Sequence, residues 1–127
     1  MTPAAAIAQS GIAAATLRFA VSGSNLVNAN DVSAPGRPPA YAPRAVNQTT
    51  APGGGVSAQV VTAKTAQLLV YDPASPVAGA NGMVQTPEID PIAEITNQIA
   101  AGRAFAFSLE ALKAADDEQK RLLDIKS

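Results

Sequence analysis

The stretch DPIAEITNQIAAGRAFAFSLEAL, residues 90–112, decides the fold of this 127-residue chain. It opens with Asp90 and Pro91, residue types preferred at the N-cap and at the first position of an α-helix. Apolar or small residues then recur every three or four positions, as on one face of a helix, at Ile92, Ile95, Ile99, Gly102, Ala106 and Leu109. Phe105 and Leu112 widen this stripe. The pattern predicts an amphipathic helix of about 34 residues, about 50 Å long, that packs in the manner of a coiled coil.

The other end of the chain carries a second helical pattern. Thr2 and Pro3 repeat the start signal, and the predicted helix ends near Ala29 because Pro35 cannot lie in a helix interior. Two series with a seven-residue period form a heptad-like seam. One series holds mostly larger residues, at Ala5, Ile12, Phe19 and Leu26, and the other holds small residues three positions later, at Ala8, Ala15, Ser22 and Ala29. Small residues let a partner helix approach closely. We therefore expect a mainly α fold in which the terminal helices pair as a coiled-coil-like hairpin.

The middle of the chain is broken by Pro and Gly. Residues 31–55 contain Pro at five positions and the Gly53–Gly55 run, which predicts an extended, partly polyproline-like linker. Residues 56–86 combine alternating apolar positions with an Asn81-Gly82 turn signal, which predicts a small β element of two or three strands. The predicted segments are the N-terminal helix 1–30, the linker 31–55, the β element 56–86 and the C-terminal helix 87–127.

Composition indicates a weak core and no catalytic site. The 127 residues include 28 Ala and five aromatic residues, so apolar burial per residue is low and neighbouring molecules would supply more. The chain has no Cys and no His, which removes thiolate metal sites and the usual general base. Consecutive residues on a helix point in different directions, so the acidic run 116–118 is predicted to be a solvated face. We expect no catalytic, cofactor-binding or metal site and no enzymatic activity.

Charge and hydropathy limit the partners. The net charge is −1 and the basic residues of the first two-thirds are scattered, so nucleic-acid binding is not expected. The sequence has no run of eighteen apolar residues, so direct membrane insertion is not expected. The N-terminus lacks a basic start, and Ser10, Thr16 and Arg18 interrupt its apolar stretch, so no cleavable signal peptide is predicted.

Several motifs resemble the flagellar basal-body rod protein family, and within it the proximal rod proteins of the FlgC type. At the N-terminus these motifs are Gly11-Ile12-Ala13-Ala14 and Ser24-Asn25-Leu26-Val27-Asn28-Ala29. Toward the C-terminus they are LVYDPASP at 69–76, NGMV at 81–84, PEIDPIAEI at 87–95, RAF at 103–105 and LLDI at 122–125. Residues 31–35 depart from the usual continuation of the Asn-rich motif, although Tyr41-Ala42-Pro43-Arg44 is similar to a Y-x-R stretch of the family.

The resemblance implies a structural subunit of the proximal rod, located in the periplasm. Members leave the cytoplasm uncleaved through the flagellar type III export apparatus and stack helically through their terminal helices. The implied partners are copies of the same chain, other rod proteins, the export apparatus and a basal-body ring, and the implied task is transmission of torque from motor to hook. The alternative is a two-helix adaptor or export-associated binding protein that never polymerises. A hook or distal-rod protein is disfavoured because residues 31–86 leave no room for its longer insertions.

Seam residues are the candidate assembly interface, since a heterologous contact that does not close generates a helical array. The apolar candidates are Ile12, Phe19, Leu26, Ile92, Ile95, Ile99, Phe105 and Leu109. For each of them the alternative is an ordinary intramolecular core. Asn25 and Asn28 are predicted to satisfy backbone groups where the first helix ends, with plain polar surface as the alternative. Arg103 joins the interface on the strength of the RAF motif alone.

Overall fold

Two long helices bracket four short strands in the computed structural model, which describes residues 2–39, 41–63 and 67–125. The elements in chain order are α1 (Pro3–Val27), β1 (Arg44–Thr50), β2 (Val56–Thr62), β3 (Gln67–Tyr71), β4 (Met83–Pro87) and α2 (Pro91–Ile125). This architecture confirms the mainly α fold class with a small β component. Met1 and residues 126–127, which belonged to the predicted terminal helices, lie outside the described residues.

Both helices begin where the sequence predicted. The Thr2 hydroxyl accepts a hydrogen bond of 3.3 Å from the Ala5 amide, and Asp90 Oδ1 accepts one of 2.9 Å from the Ile92 amide. These side chains satisfy amides that have no partner inside the helix. At the other end of α1, Asn28 is the C-cap and its side-chain amide donates to the Ser24 carbonyl at 2.7 Å. α1 therefore ends at Val27, two residues before the predicted Ala29.

The two helices pack antiparallel. Ser22, near the end of α1, contacts Glu94 in the first turn of α2, and Gly11 lies against Ser108 further along. A Cβ atom on Gly11 would stand only 2.5 Å from the Ser108 hydroxyl oxygen. The residues buried along this contact are small: Ala5, Ala8, Ala15 and Ser22 on α1, with Ala101 and Ala115 on α2. Small side chains permit the close approach, and the core contains little apolar volume as a result.

The longer helix extends past its partner. α1 has 25 residues and α2 has 35. Pro3 lies eight positions before Gly11 and Asp116 lies eight positions after Ser108, so the start of α1 is level with Asp116. Ala115 is the last buried residue of α2, and residues 116–125 are all exposed. These ten residues, about 15 Å of helix, are called the overhang below.

The strands form two separate antiparallel pairs. β1 pairs with β2 over seven residues, and β3 pairs with β4 over five. Residues 44–50, predicted as part of an extended linker, form β1 instead, and the predicted single β element is divided between two sheets. All seven residues of β1 except Val46 are exposed, so neither face of the strand needs apolar side chains and the sequence shows no alternation. Only the pairing with β2 defines β1 as a strand.

The β1–β2 hairpin lies along α1. Its turn contains Gly53, Gly54 and Gly55, all with positive φ, and a Cβ atom on Gly55 would stand 2.5 Å from the Ser10 hydroxyl oxygen. That hydroxyl accepts a hydrogen bond of 3.0 Å from the Val56 amide. Glycine is required here both by the left-handed backbone and by the closeness of the helix. The run predicted as a flexible linker end is therefore a hairpin turn docked on α1.

α1 is long and apolar enough to cross a membrane when judged by length and composition alone. Core helices of soluble proteins pass the same test. In this chain the helix buries two polar residues, Ser22 and Asn25, against other elements of the fold.

Candidate assembly surface

Asn25 is the centre of a part-buried polar network at the end of α1. Its side chain is 2% exposed and uses four hydrogen bonds. Nδ2 donates to Glu94 Oε1 at 2.7 Å and to the Arg44 carbonyl at 2.8 Å. Oδ1 accepts from the Tyr41 hydroxyl at 2.8 Å and from the Arg44 amide at 3.0 Å. All four hydrogen-bonding positions of the amide are filled, so this one side chain joins α1, α2 and the start of β1.

Neighbouring side chains extend this network. The Ser22 hydroxyl lies 2.7 Å from the Glu94 carbonyl oxygen and also contacts its carboxylate. The Ser24 and Tyr41 hydroxyls are 3.1 Å apart, and the Arg44 guanidinium lies 5.9 Å from the centre of the Tyr41 ring. A polar network centred on a buried and fully hydrogen-bonded side chain favours one relative position of the elements that carry it. We call Ser22, Ser24, Asn25, Tyr41, Arg44 and Glu94 the Asn25 network.

Asn25 and Asn28, for which the sequence predicted the same role, make different hydrogen bonds. Asn28 bonds a carbonyl at the end of α1, as predicted. Asn25 instead bonds the backbone of Arg44 at the start of β1 and the carboxylate of Glu94. The sequence shows a short polar side chain at position 25. It does not show the partners of that side chain, because they lie 19 and 69 positions away along the chain.

The predicted α1 seam is only partly covered by α2. Ile12 and Leu26 are half-buried, and Phe19 is 51% exposed. The small residues between them, Ala8, Ala15 and Ser22, are buried. The small half of the seam thus forms the intramolecular contact, and the large half keeps apolar surface toward solvent.

The α2 candidates are more exposed still. Ile92, Ile95 and Ile99 have 76%, 50% and 55% of their surface exposed. Phe105 is 39% exposed, Leu109 is half-buried, and Arg103 is exposed without an ion pair to any described residue. An ordinary intramolecular core does not account for these isoleucines, since α1 leaves them uncovered. Contiguous exposed apolar patches are typical of interaction sites, and these isoleucines are therefore kept as candidates for one.

A groove lies between the helices beside this surface. It has a volume of about 300 Å³ and is lined by Ala15, Thr16, Phe19, Ala101, Gly102 and Phe105. Phe19 from α1 and Phe105 from α2 contribute its aromatic walls, and Gly102 contributes backbone alone. We call it the Gly102 groove. It brings together two of the predicted seam residues, one from each helix.

Other exposed apolar residues escaped the sequence reasoning. Phe107 is 77% exposed on α2, and Leu68, Leu69, Val70 and Tyr71 are exposed along β3. The apolar run at 68–71 predicted a strand, and β3 forms there. The exposure of these side chains was not predicted, because it depends on β3 having only β4 as a strand partner within the described residues. In the parts of the chain that the structure describes, no three His, Cys, Asp or Glu side chains form a group able to hold a metal ion.

Comparison with known proteins points to one family. Residues 80–125 match the family described as "Flagellar basal body rod FlgEFG protein C-terminal". The chain is 36% identical to the flagellar basal-body rod protein FlgC of Salmonella typhimurium strain LT2, over 94% of this chain and 92% of the relative. It is 35% identical to the FlgC of Escherichia coli O157:H7 over the same shares. With the FlgC of Yersinia enterocolitica it shares 38% identity over 84% of this chain and 83% of the relative.

Proposed function

Because this chain belongs to the FlgC family of flagellar basal-body rod proteins, we propose that it assembles helically, through its terminal helices, into the proximal rod. Its relatives are named flagellar basal-body rod proteins, so the chain is a structural subunit of the flagellar basal body and not an enzyme. In the proposed assembly the partners are copies of the chain itself and other rod proteins. The task of the assembled rod is to transmit torque from motor to hook.

The observation that carries this proposal is the uncovered apolar face of the helix pair. Ile92, Ile95, Ile99 and Phe19 are each at least half exposed, although they occupy the most regular apolar positions of the chain. Exposed apolar surface of this extent favours association by removing area from water, at about 25 cal/mol per Å². The proposed interface comprises these residues with Ile12, Leu26, Phe105 and Leu109, and with Arg103 at its edge.

Asn25 and Asn28 have an indirect part in this interface. Asn25 ties α1 to α2 and to the hairpin, and Asn28 closes the end of α1. We propose that both residues hold the apolar face in shape rather than contact a neighbour, because Asn25 is buried and both side-chain amides donate inside the subunit.

We further propose a periplasmic location reached without a cleavable signal peptide, through the flagellar type III export apparatus. A basal-body ring is the proposed neighbour outside the rod. Direct membrane insertion is not proposed, although α1 has a suitable length, because insertion would separate Ser22 and Asn25 from their partners in β1 and α2.

The test is co-purification. A tagged copy of the full chain is expressed in the motile organism that carries it, and hook–basal bodies are extracted with detergent and washed until soluble periplasmic proteins are removed. Retention of the tag supports the rod assignment. Loss of the tag, with the chain recovered as soluble protein, favours the non-polymerising adaptor.

Circular dichroism separates the same two classes independently. Since the core consists mainly of alanine and small polar residues, the isolated chain is expected to melt at low temperature and with little cooperativity. A stable helical monomer with a sharp transition would favour the adaptor, because an assembly subunit gains much of its stability from neighbours.

A further inference from the structure

Two arginine side chains line one polar pocket at the place where three elements of the fold meet. α1 contributes Arg18, β1 contributes Arg44 and α2 contributes Glu94 to a cavity of about 390 Å³. This cavity shares no lining residue with the Gly102 groove. We call it the arginine pocket.

Neither guanidinium group of the pocket has a partner of opposite charge within the subunit. In the part of the chain that the structure describes, neither Arg18 nor Arg44 forms an ion pair, and the hydrogen bonds of Arg44 come from its backbone. A guanidinium group carries five N–H donors and is always charged in proteins. Arg18 is half-buried, and a cation removed from water without a partner is costly. A ligand that supplies negatively charged oxygen atoms would therefore be favoured here.

The carboxylate of Glu94 does not supply those oxygen atoms, because both of its own are engaged with α1. Oε1 accepts the 2.7 Å hydrogen bond from Asn25, and Oε2 contacts the Ser22 hydroxyl. The charged residues that line the pocket are two arginines and one glutamate, which gives a formal charge of +1. The pocket thus keeps an excess of positive charge after the subunit has folded.

Arg44 is positioned without the use of its side-chain donors. Its backbone amide and carbonyl are both bonded to the Asn25 side chain, and its guanidinium lies 5.9 Å from the centre of the Tyr41 ring. The Tyr41 hydroxyl is bonded in turn to Asn25 at 2.8 Å. A cation over an aromatic face is attracted by the ring and keeps its N–H groups free. Such pre-organisation lowers the entropy that a ligand loses on binding.

We propose that the arginine pocket binds an oxyanion, which Arg18 and Arg44 hold through charge-assisted hydrogen bonds. Guanidinium groups match the paired oxygen atoms of a carboxylate or a phosphate. The side-chain amides of Gln48 and Asn97 line the same cavity and offer further donors. The cavity volume is about 13 times the share that one water occupies in the liquid, which leaves room for an acidic side chain or a phosphate ion.

Two sources offer this chemistry. One is a free oxyanion such as inorganic phosphate. The other is the overhang of a second copy of this chain, where Asp116 and Glu118 are exposed and form no ion pair with a described residue. Asp116 lies about 33 Å along α2 from Glu94, so it cannot enter the pocket of its own subunit. Binding of an oxyanion does not depend on the proposed function, whereas the second source rests on it.

The first test measures the binding of inorganic phosphate to the full chain, with chloride used to keep the ionic strength constant. Amide chemical shifts of residues 44–46, which line the pocket, report the binding. We expect saturable binding that weakens about tenfold or more in Arg18→Gln, as the loss of a charge-assisted hydrogen bond implies. Arg37→Gln removes an exposed arginine that does not line the pocket and should bind phosphate normally. Shifts without saturation, or equal binding by the two variants, overturn the proposal.

A second variant and a melting experiment separate the pocket from the fold. Because Arg18 has no ion pair and glutamine is a comparable helix former, Arg18→Gln is expected to melt no lower than the unmodified chain in the absence of phosphate. Arg44→Gln keeps the backbone bonds to Asn25 and should weaken phosphate binding independently. If Arg44→Gln binds phosphate as tightly as the unmodified chain, the two arginines do not share a ligand and the proposal is wrong.

Incorporation into hook–basal bodies distinguishes the two sources. If a second copy supplies the carboxylate, Arg18→Gln and the double variant Asp116→Asn/Glu118→Gln should both incorporate about tenfold less than Arg37→Gln. If the ligand is a free oxyanion, the double variant should incorporate as the control does. If the unmodified chain is absent from hook–basal bodies, the rod assignment fails, and the phosphate titration still decides whether the pocket binds an oxyanion.

Discussion

The side-chain amide of Asn25 donates a hydrogen bond of 2.7 Å to Oε1 of Glu94, across 69 positions of sequence. The bond joins the last turn of α1 to the first turn of α2. Because the same amide also holds the backbone of Arg44, the hairpin and both helices meet at one buried side chain. In a subunit whose core is otherwise mostly alanine, this polar junction specifies how the elements sit together.

Asn25→Ala is expected to reduce the free energy of unfolding by about 2–3 kcal/mol, because it takes the Asn25 amide away from the part-buried hydrogen-bonding groups of Glu94 and Arg44. Urea titration followed by circular dichroism measures the change. Asn30→Ala, at an exposed position, is the matched control and should stay within about 0.5 kcal/mol of the unmodified chain. Equal stability of the two variants would show that the network contributes nothing.

Two glycine substitutions in the helices should differ in their effect on stability. Gly102→Ala is expected to stabilise the isolated chain by about 1 kcal/mol, since alanine is the better helix former and the new methyl group meets nothing. Gly11→Ala places a methyl group 2.5 Å from the Ser108 hydroxyl oxygen, which offsets that gain. Thermal melting compares the two variants.

A third variant checks the cause of the difference. Adding Ser108→Ala to Gly11→Ala removes the nearest atom and should recover part of the stability. If Gly11→Ala already melts as high as Gly102→Ala, the close approach of the helices at Gly11 is contradicted.

The hairpin turn offers a pair of matched glycines. Gly53 and Gly55 both have a φ of 88°, but a Cβ atom meets nothing at Gly53 and the Ser10 hydroxyl at Gly55. Gly53→Ala should cost about 1–2 kcal/mol from its left-handed backbone alone. Gly55→Ala should cost more, because it also displaces the hairpin from α1. Hydrogen exchange of the Val56 amide, which donates to Ser10, should accelerate in Gly55→Ala and remain slow in Gly53→Ala.

Ile99→Gln tests the apolar face. Ile99 is 55% exposed, so this change is expected to alter the free energy of unfolding by no more than about 0.5 kcal/mol. Incorporation into hook–basal bodies should nevertheless fall at least tenfold, because a polar group enters the proposed interface. Ala100→Gln, at the next and also exposed position, should incorporate normally. Normal motility of the Ile99→Gln strain would remove Ile99 from the interface.

Much of the fold followed from local patterns. The 3.6-residue periodicity and the start signals at Thr2 and Asp90 predicted both helices, and both caps form their expected bonds. The family motifs predicted a rod protein, which the relatives confirm. β1 was missed because its side chains are exposed on both faces and therefore show no period. Strand pairing is a contact between distant residues, and β1 carries no local sign of it.

The candidate site was predictable only in part. The seam pattern placed Ile12, Phe19 and Leu26 beside Ala8 and Ala15 but gave no means of knowing which set the partner helix would cover. The tertiary structure decides this through the approach at Gly11 and Ser108, which is close enough to bury alanine and too close to enclose phenylalanine. Local sequence is enough to predict where the helices begin and which of their faces are apolar, because both depend on neighbouring residues. Which apolar residues remain exposed is a property of the folded chain, because burial depends on the distance between two helices that are joined through more than sixty intervening residues.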